Sequence, residues 1–547
     1  MRIRMFPIVS AAVAVMCAFA IGARPVYADD TAQSLGVLRD TVINLLDGLV
    51  QKGVLTRDQA QAMVKSAEDK AAADAKADAA RKAAEARAEQ GAVRVPYVPQ
   101  IIQDRIRSAV KQDLEKDVTR DVVAEAKQQR WGVPGALPDW VNRLEIHGDI
   151  RLRGESDLYA RGNSRQYPNF TAINAAGGIG RAGANALLNT SVDRYRERER
   201  LRLGVDARVT EDLTAGILVG YDNLGFPVST NQTLGNYGQN TALAVYQARL
   251  RYDHKDAAGF PWLTLEGGRF ANPFYSSALV WYPDLNFDGS YGTLRVPFGG
   301  ADRKPRNVFF TLGAFPLQDI ELSYRDKWLL ASQLGLDIPW SGGGRARLAA
   351  AYYDFDHIDG VRNSVNSTLE NFTVPPILQK GNSLYDISNN PLDPTVNLYA
   401  LAADYRELEV TAGLDLPVGA HKLSFTADYV DNVGYNQKAI FARTGLLVPK
   451  RGLGYLAGLD FGSAEPGRAG TWDASIEYRY LQRDAVVDAF ADQDFHLGGT
   501  DAKGYVLGGQ WWFLDRTSLW VRYFNSNAID GPPLGIDMIF VDINAAF

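Results

Sequence analysis

The chain has 547 residues, a formal net charge of −6, 46% hydrophobic residues and a single cysteine. With 18 basic and 17 acidic residues, the segment 30–143 is not a basic nucleic-acid-binding arm, and one cysteine excludes a disulfide scaffold. Beyond the first 28 residues no stretch reaches the roughly 18 apolar residues of a transmembrane helix. Passage through a membrane would therefore require a closed β-barrel, because backbone groups in lipid must be paired internally.

Residues 1–28 read as a secretory signal peptide. Arg2 and Arg4 form a positive start, the run from Phe6 to Gly22 is almost wholly apolar, and Val26-Tyr27-Ala28 is a small-x-small cleavage site. A membrane anchor is the weaker reading, since the apolar run is short and is followed by Arg24 and Pro25. Cys17 lies within this segment, and Met16 before it is not the small residue a lipobox needs.

Residues 29–92 read as helical, partly Ala- and charge-rich. Leu35, Leu38, Val42, Leu45, Leu46 and Leu49 recur at helical spacing, Gly53 ends the run, and Thr56 caps a second helix. Pro96 and Pro99 break it. Residues 93–143 then form an amphipathic helix and a hinge, with Ile102, Ile106, Val110, Leu114, Val118 and Val122 in a slanted apolar stripe. Between 30 and 143 there are 18 basic and 17 acidic residues. The segment reads either as a periplasmic spacer, able to trimerise or to contact the cell wall, or as a linker that only supports the C-terminal region.

From Leu144 to Phe547 the period switches to two. Leu423, Phe425, Ala427 and Tyr429 alternate with Lys422, Ser424, Thr426 and Asp428; Trp472, Ala474, Ile476 and Tyr478 alternate with Asp473, Ser475, Glu477 and Arg479. Tyr505, Leu507, Trp511 and Phe513 continue the pattern. The minority parity carries charges, and a charged row facing inward needs a wet lumen. Aromatics near strand ends, such as Tyr159, Tyr221, Tyr252, Trp262, Trp340, Tyr429 and Trp472, suit interfacial girdles. Seven short turns alternate with eight longer connections: 160–194, 222–241, 272–289, 317–326, 359–397, 431–453, 486–503 and 525–535. That predicts a sixteen-stranded antiparallel transmembrane β-barrel, wide enough for an aqueous channel, preceded by the α-helical periplasmic segment. The closing residues alternate, with Ile539, Val541, Ile543 and Phe547 on one parity, as in an outer-membrane assembly signal read by the barrel assembly machinery.

Several segments carry a resemblance: LLDGLVQKGVLTRDQAQAM, VRVPYVPQ, WGVPGALPDWVNRL, GDIRLRGE, RERERLRLGVDARV, FPVSTNQTLGN and NPFYSSALVWYPDLNFDG, in this order between residues 45 and 289. With them the chain resembles the bacterial putative porin family, in which an N-terminal helical segment precedes an outer-membrane barrel. The C-terminal half is similar through its strand pattern and final Phe547. The resemblance implies an outer-membrane channel passing small hydrophilic solutes by diffusion, with outer-membrane lipid around it. It brings no catalytic residue, cofactor or metal. A homotrimer is expected, because general porins of this size trimerise and the stripe of residues 102–122 lacks a partner.

The candidate pore-lining residues are set by parity. Arg196, Arg198, Arg200, Arg202 and Arg208 share one face of the second strand, and the first strand adds Asp149, Arg151 and Arg153. Such a ladder would set a transverse field across a constriction, or would pair with Glu145, Asp149, Glu155 and Asp206 to stiffen the wall. From residue 144 onward 46 acids face 37 bases, and many of the acids (Asp386, Asp393, Asp488, Asp492, Asp494) fall in expected outer loops. In general porins the third long loop folds into the lumen; here it would bring Trp281, Tyr282, Asp284 and Asp288 opposite the arginines. The five histidines are scattered, with no HExxH or CxxC, which argues against an enzyme. The alternative function is a structural barrel that anchors the helices to the cell wall or displays adhesive loops.

Overall fold

The computed structural model describes residues 141–221, 226–299, 306–340 and 342–547, together with Lys65 and Lys76, which are helical and exposed. The expected signal peptide and nearly all of the expected helical segments (29–92 and 93–143) lie outside the described residues.

Sixteen barrel strands are present among the described residues. They are β1 Leu144–Tyr159, β2 Arg194–Arg208, β3 Leu213–Tyr221, β4 Leu243–Lys255, β5 Pro261–Ala271 and β6 Asn286–Phe298. They continue as β7 Arg306–Gln318, β8 Lys327–Pro339, β9 Arg345–Asp356, β10 Tyr405–Val418 and β11 His421–Asn432. The last five are β12 Leu453–Ser463, β13 Trp472–Leu481, β14 Ala502–Leu514, β15 Thr517–Ala528 and β16 Gly535–Ala546. Each pairs antiparallel with its sequence neighbour, and β1 pairs with β16, so no edge is left open. Closure is what makes such a sheet viable in lipid.

At the seam the chain crosses close to itself. Phe547 N–H donates to Gly148 O at 3.0 Å, and Gly148 N–H donates back at 3.2 Å. Gly148 has to be glycine here: a Cβ would lie 2.6 Å from both the Phe547 ring and Arg202 O.

The outward parity is apolar. Leu203, Leu250, Leu334, Phe425, Ile476, Leu507 and Val541 are all exposed, in positions that in a membrane would face hydrocarbon. The inward parity is polar towards the short-turn end, where Arg249 binds Asp206 at 2.6 Å and Glu266 at 3.4 Å, and Thr293 meets Thr311 at 2.9 Å.

Towards the long-loop end the lumen is not empty. The connections 272–285, 357–404 and 482–501 fold inward and build an apolar cluster on the inner faces of β5 to β13. Trp281 is at its centre, with ring centroids 5.0 Å from Phe287, 5.1 Å from Tyr353 and 5.9 Å from Phe490. The first two are edge-to-face, and each contact of that kind adds roughly 0.5–1.5 kcal/mol beyond burial alone. A short helix, α1 (Phe170–Ala176), from the first long loop packs on the same assembly: Phe170 meets Tyr399 at 4.8 Å.

Candidate functional site: an arginine wall with loops clamped to it

Antiparallel register sets β1 against β2 so that Asp149 faces Arg202, Arg151 faces Arg200, Arg153 faces Arg198 and Glu155 faces Arg196. Strand β16 brings Asn544 opposite Arg151 and Asp542 opposite Arg153. Two arginine pairs thus lie directly across from each other, an arrangement that repels unless carboxylates intervene. They do. Arg153 donates to Asp542 at 2.7 Å and lies 3.3 Å from Asp494; Arg151 donates to Asn544 Oδ1 at 2.7 Å. Arg196 is paired with Glu155, and Arg198 binds the other oxygen of Glu155 at 3.2 Å and the carbonyl of Asn231 at 3.0 Å. Arg200 and Arg202 each bind Asp149 at 2.7 Å.

The third long loop completes the wall. Asp284 accepts from Arg200 Nη1 at 2.9 Å and from Arg202 Nη1 at 3.0 Å. Burial would raise its pKa, but the guanidinium groups of Arg202, Arg200 and Arg151 outweigh that and hold it below the usual range. The second long loop reaches the same place, with Ser229 and Asn231 on Arg198 and Thr230 on Asp284 at 3.4 Å. Loop 272–285 also reaches the far wall. Tyr275 N–H donates to Gln333 on β8, Ser277 N–H to Asp428 on β11, and Arg479 on β13 donates to Ala278 O. These contacts lie on several sides of the barrel, so the loop crosses the interior.

Loop 482–501 is held the same way. Asp494 lies between Arg153 and Arg522, at 3.3 and 3.6 Å, and Asp492 binds Arg479 at 2.7 Å. Despite burial, the arginines hold Asp494 well below the ordinary carboxylate range. Deeper in this loop, burial pushes Asp488 up to about 7 and Lys380, from loop 357–404, down to about 7. Burial and the neighbouring Lys380 also hold His496 well below 6.5, with its Nδ1 3.0 Å from Ser526 Oγ.

The sequence-predicted residues therefore separate. Asp149, Arg151, Arg153, Arg196, Arg198, Arg200, Arg202 and Asp284 come together. Arg208 does not join them: it is exposed at the end of β2, beside the turn to β3. Trp281 anchors the loop in the aromatic cluster, away from the arginines. Asp288 lies inside β6, not in the loop, and pairs with Arg269 on β5. Asp488, Asp492 and Asp494, which fall in an expected outer loop, are buried because that loop folds into the barrel. Sequence reasoning missed Asp494 and Asp542 as partners of the arginines. A signal was present for the first: Val486, Val487, Phe490 and Phe495 interleave with those acids, which is a poor composition for a solvated loop. Among the described residues no group of three or more His, Cys, Asp or Glu side chains is placed to hold a metal ion.

A closed sixteen-stranded barrel with an apolar exterior and a charged inner wall has the architecture of an outer-membrane channel. A family model described as Putative porin matches residues 39–547, and the chain belongs to that family. It is a porin of the outer membrane, a channel for passive diffusion of small hydrophilic solutes. Solved structures similar to it include OprB of Pseudomonas putida, at 13% identity and a TM-score of 0.42, covering 76% of this chain and 97% of that one. The outer-membrane channel DcaP of Acinetobacter baumannii matches at 12% identity and 0.39, over 74% and 97%. An anion-selective porin from Comamonas acidovorans matches at 12% and 0.37, over 74% and 99%. No curated protein sequence matches the chain.

Proposed function

We propose that passage through this porin is set by its inward-folded loops, above all 272–285, clamped against the arginine wall of β1 and β2. The observation that carries this is the double acceptance at Asp284 from Arg200 and Arg202. The wall arginines are matched by carboxylates, so they polarise the constriction more than they enrich bulk anions, and a solute crossing it meets alternating donors and acceptors. The long-loop end faces outward, and the residues that precede the barrel lie in the periplasm. There their apolar stripe supports a homotrimer or a contact with the cell wall. Phe547, at the seam, serves as the assembly signal read by the barrel assembly machinery.

The loop-packed outer lumen favours one other reading, a structural barrel with no open path. Planar-bilayer recording separates the two. Stable conductance steps from the purified protein are expected; their absence under all voltages would establish the structural barrel. Deleting residues 30–138 behind an intact signal should leave a folded barrel, measured as unchanged β-structure by circular dichroism. A smaller oligomer on mild gels would then assign trimerisation to the helices.

A further inference from the structure

Four inward loops border a cavity of about 460 Å³, within the range of roughly 300–1,000 Å³ usual for small-molecule sites. Its walls are largely apolar and aromatic, including Phe226, Leu285, Phe287, Phe315, Pro375 and Phe490. One side is different. Arg269 and Asp288 both line it, directly paired across β5 and β6.

Local backbone sets that pair. The next residues, Gly268 and Gly289, also face each other and have φ of +110° and +141°. A Cβ would lie 2.2 Å from Ala248 O at the first and 2.4 Å from Ala314 O at the second. Only glycine reaches this conformation without strain, so the two facing glycines let both strands take an irregular course beside the pair. Arg269 Nε donates to Tyr246 O at 3.0 Å and its Nη1 donates to Asp288 Oδ2. A guanidinium has five N–H donors, so others on Arg269, and the second oxygen of Asp288, are uncommitted towards the described residues. Both side chains are accessible, at 32% and 53% exposure.

We propose that this cavity binds a small zwitterion with an apolar, ring-sized body, its carboxylate on Arg269 and its ammonium on Asp288. A simple anion of the same shape would gain Arg269 but face Asp288, and a simple cation the reverse; only a head group with both charges satisfies both. The proposal deepens the channel reading by naming a solute class. Binding is measured without conduction, so failure of one is read separately from failure of the other.

The test is equilibrium dialysis of the full-length protein in detergent with labelled L-phenylalanine. Saturable binding near or below about 1 mM is expected. 3-Phenylpropionate and phenethylamine, each with half of the head group, should compete at least tenfold more weakly. Asp288→Asn and Arg269→Gln, checked for unchanged circular dichroism, should each weaken binding about tenfold or more. Either analogue competing as well as phenylalanine would overturn the proposal, and so would an absence of saturable binding. Because the competition uses the unaltered protein, a variant that misfolds leaves the test intact.

Discussion

Asp284→Asn is the most informative perturbation of the wall. It keeps the shape of the side chain and removes one negative charge between two guanidinium groups at 2.9 and 3.0 Å. Hydrogen bonds to charged groups are worth about 1.5–3 kcal/mol each when lost. The side chain of Asp284 is 25% exposed and Asp149 still holds both arginines, so water and the remaining partner reduce the cost. About 1.5–3 kcal/mol for the whole clamp is the reasonable total, and at 1.4 kcal/mol per factor of ten the undocked fraction of loop 272–285 should rise about 10–100-fold. In single-channel recording this would appear as frequent transitions to a larger conductance. Arg202→Gln breaks the same clamp from the other side. It should produce the same transitions while moving the reversal potential towards cations, whereas Asp284→Asn moves it towards anions. Screening makes both potential shifts larger at low salt, where the Debye length exceeds about 10 Å. If both variants keep the parent's conductance distribution, the loop is held by its aromatic cluster alone and the clamp is incidental.

Two further outcomes are expected from the geometry. Removing Phe547, or Phe547→Asp, should lower outer-membrane levels of the protein, scored by fractionation; undiminished levels would show that the Gly148 contact does not matter for assembly. The docking of loop 482–501 should depend on pH through His496, whose folded pKa lies well below 6.5. The docked state binds fewer protons than the released state below 6.5, so docking is strongest above that value and weakens as pH falls through it. Asp488, raised to about 7, contributes with the opposite sign over the range from 7 down to 3.8. Comparing the parent with His496→Asn removes that common contribution: amide protection factors in 482–501 should fall more on acidification in the parent. Identical pH profiles would refute the assignment.

Much of the barrel was legible in the chain. Alternation at Leu423–Tyr429 or Trp472–Tyr480 marks strands because a pleat puts neighbours on opposite faces, and lipid and water then select opposite chemistries. The row Arg196 to Arg202 was visible for the same reason. What parity cannot carry is the identity of partners far along the chain. Ala278 meets Arg479 across 201 residues, and Arg153 meets Asp542 across 389. Loops have no period: the inward course of the third long loop was expected only by likeness to general porins, and that of 482–501 was accessible only through composition. Asp288 was misplaced by a strand boundary that begins at Asn286, two residues before it.

The seam between β1 and β16 has a consequence for biogenesis. β1 is among the first barrel strands made and pairs with β2 on one side, yet the other edge of Asp149 to Tyr159 finds its partner only in Ile536 to Ala546. Until the last strand is delivered, that edge of β1 is open and Arg153 lacks Asp542. Contacts of such sequence separation form slowly, because chain entropy must be lost before any bond is gained. An open edge of this kind is a template for pairing with another chain. The seam makes this porin as dependent on an escort during its transit as it is self-sufficient once closed.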